Sequence, residues 1–274
     1  MKSSIPHHIF GALAAAGLFL TSAGQSSAAL FSYYVGVDNL STIASGEFAG
    51  LANPNANRLT FLYAHSYAGT PASNHYHSKG VYRYQPGSGA SPVIEVSSSN
   101  YLPEGTLPPL AMVSGSGIYA GKSVVDENPS NHFSLINLKD TTDLSGFAAG
   151  TGENYMFNSS AGRYTGGIAG ADIHLVLVSM SGGLNIGSSS AFNIGLINPG
   201  DEYHLGDDVN FSPVFWTDEN AAAGLYTAQF KLVDEEGLFG DSGTFEYRFN
   251  VIPEPSTALL GAGAMVLGLV RRRR

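Results

Sequence analysis

The chain has 274 residues, no cysteine, and 22 acidic against 13 basic residues, which gives a formal net charge of −9. A surface this acidic repels phosphate backbones, so the composition argues against nucleic-acid binding. The absence of cysteine excludes disulfides, thiolate nucleophiles and Cys-ligated zinc. A transition-metal site would therefore have to combine histidines with carboxylates.

The first 29 residues have the pattern of a secretory signal peptide. Lys2 supplies a positive start, an apolar run extends from Ile9 to Leu20, and Ala28 and Ala29 suit a cleavage site. The apolar run is too short to span a bilayer. We therefore expect a signal helix over residues 1–29 that is removed on export.

Residues 30–250 are expected to form an all-β, sandwich-like body. Gly, Ser, Asn and Pro punctuate this region at short intervals, with aromatic and β-branched runs between them, which is typical of a sandwich or barrel. The body is either one large lobe or two small ones. The Gly-rich stretch near residues 146–170 is either a linker between two lobes or a run of loops within one sandwich, and we favour the loops.

Several stretches predict individual strands. The residues of "RLTFLYAHSY" alternate, with Leu59, Phe61, Tyr63, His65 and Tyr67 on one face, and "GVYRYQ" follows as a second strand. "ADIHLVLVSM" is apolar enough to be a central strand. "SPVFWTD" and "GLYTAQFKLVD" are expected to form a hairpin, and "SGTFEYRFNV" is expected to be the last strand.

The stretch "SNHYHSKG" places His75 and His77 two residues apart, on the same face if the segment is a strand. Antiparallel pairing with the preceding strand would bring His65 opposite this pair. Three converging imidazoles would suit one divalent transition ion, with Zn²⁺ as the expected cofactor and copper or nickel as alternatives. The other interpretation is that these are aromatic surface residues whose ring nitrogens are hydrogen-bonded.

Three further residues are possible additional ligands for that ion. Asp172 and His174 share a strand face in "ADIHL", and His204 lies in the acidic stretch "GDEYHLGDD". The Asp172–His174 pair could equally be a structural contact, and the acidic stretch lacks the regular ligand spacing of a calcium loop. The chain contains neither G-x-S-x-G nor H-E-x-x-H, so we predict no enzymatic activity.

The C-terminal sequence "VIPEPSTALLGAGAMVLGLVRRRR" has three parts. Pro253, Glu254 and Pro255 precede an apolar stretch, and four arginines follow it. This arrangement resembles the PEP-CTERM sorting signal of Gram-negative bacteria. The resemblance implies a short apolar sorting helix within residues 251–274, only transient membrane contact, processing by an exosortase, and delivery to the cell surface or the extracellular matrix.

The body also resembles a family. "PNANRLTFLYAHSY", "NHYHSKGVYRY" and "GDEYHLGDDVNFSPVFWTDENAAAGLYTAQFKLVD" are similar to a PEP-CTERM family of cyanobacteria that is under the zinc-uptake repressor Zur. The resemblance implies expression under zinc shortage and a surface role in zinc capture, with His65, His75 and His77 as the residues concerned. The alternative is a structural or adhesive protein that packs a Tyr-rich surface against extracellular polysaccharide.

Overall fold

The computed structural model describes residues 30–87, 94–96, 100–104, 107–127 and 132–252. These ranges are built mainly from strands, which confirms the expected all-β class. The strands are β1 (Tyr33–Val37), β2 (Leu59–His65), β3 (His75–Lys79), β4 (Tyr82–Tyr84), β5 (Ile94–Val96), β6 (Tyr101–Leu102), β7 (Leu110–Ser114), β8 (Lys122–Val125), β9 (Leu138–Asp140), β10 (Ile173–Met180), β11 (Asn185–Gly187), β12 (Glu202–His204), β13 (Asn210–Phe211), β14 (Val214–Asp218), β15 (Gly224–Asp234) and β16 (Phe245–Val251). The α-helices are α1 (Gly152–Phe157) and α2 (Ser159–Gly162), and short 3-10 turns lie at Pro71–Ser73, Gly117–Tyr119, His132–Ser134 and Thr141–Leu144.

Two large sheets and one small one hold these strands. The first sheet has the order β13-β9-β1-β2-β3. The second has the order β11-β14-β8-β7-β16-β15-β10-β12, and β6 also pairs with β16. Strands β4 and β5 pair with each other in a separate ribbon.

An apolar core joins the first and second sheets. Phe61 of β2 stacks on Phe245 of β16 with ring centroids 4.1 Å apart, and Tyr33 of β1 meets the edge of Tyr247 at 5.7 Å. All four side chains are buried. Large aromatic side chains remove the most apolar surface from water, so these contacts make a major contribution to the stability of a chain without disulfides.

The first sheet is covered on its other face as well. Leu62 of β2 and Tyr76 of β3 belong to a second apolar cluster that includes Met156 of α1. The helix begins after Thr151, whose hydroxyl accepts a hydrogen bond from the backbone N–H of Asn154 at 3.2 Å. Consequently β2 is buried on both faces, and the alternation in its sequence does not separate core from solvent.

Most expected strands are present, but one pairing differs. The stretches "RLTFLYAHSY", "GVYRYQ", "ADIHLVLVSM" and "SGTFEYRFNV" contain β2, β4, β10 and β16, and β10 has a neighbour on each side. The expected hairpin between "SPVFWTD" and "GLYTAQFKLVD" is wrong. Strand β14 pairs with β8 and β11, whereas β10 and β16 occupy the two edges of β15 and leave none for β14.

The Gly-rich stretch over residues 146–170 contains both α-helices. Its Met156 and Tyr164 are buried in the cluster behind the first sheet, so this stretch packs against that sheet. Among the residues that the structure describes, no helix combines the length and apolar character needed to cross a membrane.

Candidate metal centre

The hairpin of β2 and β3 places the three predicted histidines at one end of the first sheet. The strands are antiparallel, with Tyr63 opposite His77 and His65 opposite His75. Directly opposite residues in a ladder project from the same face, as do residues two apart on one strand. The pairing expected from the sequence is therefore present, and all three imidazoles share a face.

The three imidazoles are close neighbours. The ring centroid of His65 lies 4.1 Å from that of His77 and 5.2 Å from that of His75, and the centroids of His75 and His77 are 4.9 Å apart. The His77 side chain is 43% exposed, whereas that of His65 is 18% exposed. The group therefore combines a half-buried position with direct access for an ion from solvent.

A carboxylate that the sequence analysis missed lies among these rings. Glu104 follows β6, and its Oε1 is 2.7 Å from His65 Nε2 and in contact with His77 Nδ1. Its other oxygen, Oε2, is 2.5 Å from Nζ of Lys79 on β3. Single donor atoms of His65, His77 and Glu104 all lie within 4.8 Å of one another. We call these three residues the hairpin group.

The hairpin group is built from both large sheets. His65 and His77 come from β2 and β3 of the first sheet, and Glu104 comes from the loop after β6, which pairs with β16 of the second sheet. The packing of the two sheets therefore positions the carboxylate against the imidazoles.

The surroundings keep Glu104 ionised and favour a neutral His77. Burial opposes ionisation of Glu104, but hydrogen bonds from His65 and Lys79, together with the charge of Lys79, outweigh it and hold the pKa of the carboxyl well below its usual 4.5. Burial is the largest effect at His77 and lowers its pKa below 6.5, although Glu104 acts in the opposite direction. At neutral pH a carboxylate thus faces an imidazole that is mostly uncharged.

Neutral His77 has one ring proton for two polar contacts. His75 Nδ1 is 2.8 Å from the carbonyl oxygen of Ser73, which only accepts, so this nitrogen is the donor. In neutral His75, Nε2 is then an acceptor, and it lies 3.0 Å from His77 Nε2, while His77 Nδ1 contacts the carboxylate of Glu104. One proton can satisfy only one of these two contacts, so at the other contact two lone pairs repel each other unless a second proton or a metal ion lies between them.

The three possible additional ligands meet one another rather than the hairpin group. His174 on β10 lies opposite His204 on β12, and Asp172 immediately precedes β10. Their donor atoms form a separate group within 4.8 Å of one another. The structure therefore brings Asp172, His174 and His204 together as a group of their own, apart from the group of His65, His77 and Glu104.

The two terminal signals fall outside the described residues. This applies to the signal peptide over residues 1–29 and to the sorting motif at Pro253, Glu254 and Pro255. Both therefore remain predictions from the sequence.

Comparison with known proteins leaves the family assignment open. No family model, curated protein or solved structure gives a significant match to this chain.

Proposed function

We propose that this chain is an exported, surface-associated metal-binding protein that holds one divalent transition ion, Zn²⁺ above all, in the hairpin group. The observation that carries the proposal is the convergence of donor atoms from His65, His77 and Glu104 within 4.8 Å of one another. Two imidazoles and one carboxylate are a donor set that Zn²⁺ accepts, with a fourth position left for water or another ligand.

The protonation pattern supports an ion at this position. Neutral His77 has one ring proton for its contacts with His75 Nε2 and Glu104 Oε1, so one of the two contacts leaves lone pairs facing each other. With the proton on Nε2, a divalent cation between Nδ1 and Oε1 would replace this repulsion by two coordinate bonds. Because burial lowers the pKa of His77, a proton is a poorer competitor for that position than it would be at an exposed imidazole.

Two neighbours would orient the ligands. Lys79 holds the second oxygen of Glu104 at 2.5 Å, and His75 Nε2, 3.0 Å from His77 Nε2, would accept a hydrogen bond from that nitrogen when Nδ1 of His77 binds the ion. Residues that hydrogen-bond to metal ligands orient those ligands and affect the affinity for the ion. The positive charge of Lys79 also repels a cation, so the hairpin group should bind Zn²⁺ with moderate affinity and exchange it. A zinc buffer or delivery module needs these properties.

The terminal sequences support export and surface sorting. Residues 1–29 have the pattern of a signal peptide, and Pro253–Glu254–Pro255 with the following apolar run and arginines resembles a PEP-CTERM signal. We further propose that the two large sheets form a sandwich-like body, which the shared core between them supports. Intact-mass measurement of surface-extracted protein tests the sorting: a surface species that retains Arg271–Arg274 would contradict it.

A polysaccharide-associated role is the second candidate. An open groove is lined by Phe48, Tyr82 and Tyr84 together with polar side chains such as Asn55 and Arg83, and the rings of Phe48 and Tyr84 are 5.2 Å apart. Aromatic faces flanked by hydrogen-bonding groups suit sugar rings. This role is compatible with metal binding, because the groove and the hairpin group use different residues.

Metal analysis of protein purified without a histidine tag tests the proposed function. The chain is dialysed against excess Zn²⁺, freed of loose metal on a desalting column, and compared with a Glu104→Gln variant, in which a neutral amide replaces the carboxylate. The variant should retain one zinc fewer per chain than the wild type. Equal zinc content in both, with folding of both verified by circular dichroism, would contradict the proposal.

A further inference from the structure

A second histidine–carboxylate cluster lies on the outer face of the second sheet. In β10, Ile173 and Leu175 point into the core, so the alternate positions Asp172 and His174 face outward. His204 lies opposite His174 on the neighbouring strand β12. The cluster, which we call the β10 edge cluster, comprises Asp172, His174, Glu202, His204 and Glu235.

The strand pairing explains why these residues meet. Glu202 and His204 lie two residues apart on β12 and so share a face. Glu235 follows the last residue of β15, and its backbone N–H donates to the carbonyl oxygen of Asp172 at 2.9 Å. Three chain segments thus bring two imidazoles and three carboxylates to one edge of the sheet.

Three distances between donor atoms of the cluster are close to the edge length of a coordination tetrahedron. His174 Nε2 lies 3.3 Å from Asp172 Oδ1 and 3.7 Å from Glu235 Oε2, and His204 Nε2 lies 2.8 Å from the same Asp172 oxygen. A tetrahedral ion with ligand bonds of ~2.0–2.1 Å sets neighbouring ligand atoms about 3.3 Å apart. Small side-chain adjustments would therefore bring these atoms into ligand positions.

Hydrogen bonding within the protein does not account for this arrangement. Both ring nitrogens of His174 and Oδ1 of Asp172 are buried, and none has a hydrogen-bond partner among the described residues. A buried polar atom without a partner destabilises the folded protein. The ring nitrogens of His174 and Oδ1 of Asp172 thus lie close to other donor atoms of the cluster but are not aligned for hydrogen bonds. Ligands of a shared ion are arranged in this way.

The local charge also favours a cation. In the described part of the chain, the carboxylates of Asp172, Glu202 and Glu235 form ion pairs only with His174 and His204, and no lysine or arginine pairs with them. The hairpin group differs, because Lys79 neutralises Glu104 there.

We propose that the β10 edge cluster binds a second divalent transition ion, independently of the hairpin group. Asp172 Oδ1, His174 Nε2 and His204 Nε2 are its ligands, with Glu235 Oε2 as the fourth. Glu202 Oε2, 3.4 Å from His174 Nδ1 without the alignment of a hydrogen bond, is the positioning residue: a small rotation of the ring would let it accept a hydrogen bond from Nδ1 and direct Nε2 towards the ion. Two imidazoles with carboxylates suit zinc, manganese, iron or nickel rather than calcium, which prefers oxygen ligands.

Exposure makes this a site that exchanges its ion readily. The side chains of His204 and Glu235 are 67% and 51% exposed, whereas that of His174 is 15% exposed. The buried imidazole would anchor the ion, and the exposed ligands could release it without unfolding of the sheet. The β10 edge cluster would therefore take up and release an ion at the protein surface, whereas the hairpin group would hold its ion in a half-buried position.

Calorimetric titration of the chelator-treated full chain with Zn²⁺ tests this proposal. The wild type should bind one equivalent more than His204→Ala and than Asp172→Asn, both of which alter outward-facing positions. Glu235→Gln should weaken that equivalent, whereas Glu236→Gln, the same charge change at the adjacent exposed position, should leave it unchanged. Binding of the same number of equivalents by wild type, His204→Ala and Asp172→Asn would overturn the proposal.

Two further measurements separate the sites and the roles. Glu104→Gln should remove a different zinc equivalent from the one that His204→Ala removes. If only Glu104→Gln lost an equivalent, the hairpin group would be the one metal site and the proposal for the β10 edge cluster would be wrong. If only His204→Ala lost an equivalent, the β10 edge cluster would be the one metal site and the proposal for the hairpin group would be wrong. Glu202→Gln should weaken the second equivalent about 10–100-fold and shift the visible absorption of bound Co²⁺ without changing the stoichiometry. Unchanged affinity and spectrum would contradict the positioning role of Glu202.

Discussion

Lys79 and Glu104 form an ion pair between the two large sheets, with Nζ 2.5 Å from Oε2. Lys79 ends β3 of the first sheet, and Glu104 follows β6, which pairs with the second sheet. The Lys79 side chain is only 5% exposed, and a buried ammonium requires a counter-charge. This pair therefore fixes the loop that carries Glu104 beside the histidines, and the same contact serves both the fold and the candidate metal centre.

Glu104→Gln should lower the free energy of unfolding of the metal-free protein by about 3 kcal/mol. Removal of one partner from a buried ion pair typically costs about 3–5 kcal/mol, and the partial exposure of this site places the effect at the lower end. Urea unfolding at neutral pH measures it. The control Glu219→Gln alters an exposed carboxylate and should change stability by less than about 0.5 kcal/mol; a similarly small effect for Glu104→Gln would contradict the structural role of the pair.

Acid should destabilise the wild type more steeply than the Glu104→Gln variant. The pKa of Glu104 is well below 4.5 in the folded protein, so its contribution to stability is fully present above about pH 4.5 and is lost as the pH falls towards the folded-state pKa. Urea unfolding at a series of pH values between neutrality and acid measures the two slopes. Parallel curves would mean that Glu104 has the same pKa in the folded and unfolded states.

Zinc affinity of the hairpin group should decrease as the pH falls, because an imidazole must be neutral to bind an ion. For the contribution of His77, the decrease in zinc affinity should begin below pH 6.5, because burial lowers the pKa of this imidazole. The charges of His65 and His75 also lower this pKa, whereas Glu104 raises it. Competition titrations with a zinc-binding dye at several pH values, made on His204→Ala to isolate this site, measure the profile. An affinity independent of pH would exclude imidazole ligands.

Phe61→Ala should destabilise the protein by about 3–5 kcal/mol, as expected for truncation of a buried Phe. The ring of Phe61 is 1% exposed and stacks on Phe245 at 4.1 Å between the two sheets. Leu225→Ala is the control, because Leu225 is 50% exposed and its truncation should change little. Thermal or urea unfolding of both variants makes the comparison, and equal effects would show that the aromatic core is not the main source of stability.

The sequence predicted the local part of the site. Alternation in "RLTFLYAHSY" pointed to a strand whose antiparallel pairing with the following segment would bring His65 opposite the His75–His77 pair, and the structure has this pairing with His65 opposite His75. Pairing within a hairpin depends on nearby residues, so its register can be read from the pattern. The same reasoning failed for β14 and β15, because strands from distant parts of the chain occupy both edges of β15.

Glu104 could not be predicted in the same way. It is 27 residues from His77, and its position depends on the parallel pairing of β6 with β16 near the end of the body. Nothing in the local stretch "YLPEG" distinguishes a ligand from a loop carboxylate. The second cluster was partly visible, since Asp172 and His174 share a strand face, but Glu202, His204 and Glu235 join them only through the long-range pairing of β10 with β12 and β15.

Calorimetric Zn²⁺ titration of His77→Ala and His75→Ala, two substitutions on the same face of β3, tests the proposed metal centre most directly. We propose that His77 coordinates the ion, whereas His75 orients the His77 ring through the contact between their Nε2 atoms at 3.0 Å. We therefore expect His77→Ala to lose one equivalent and His75→Ala to keep it with an affinity about 10–100-fold weaker. Retention of every equivalent by His77→Ala, at the affinity of the wild type, would contradict this proposal.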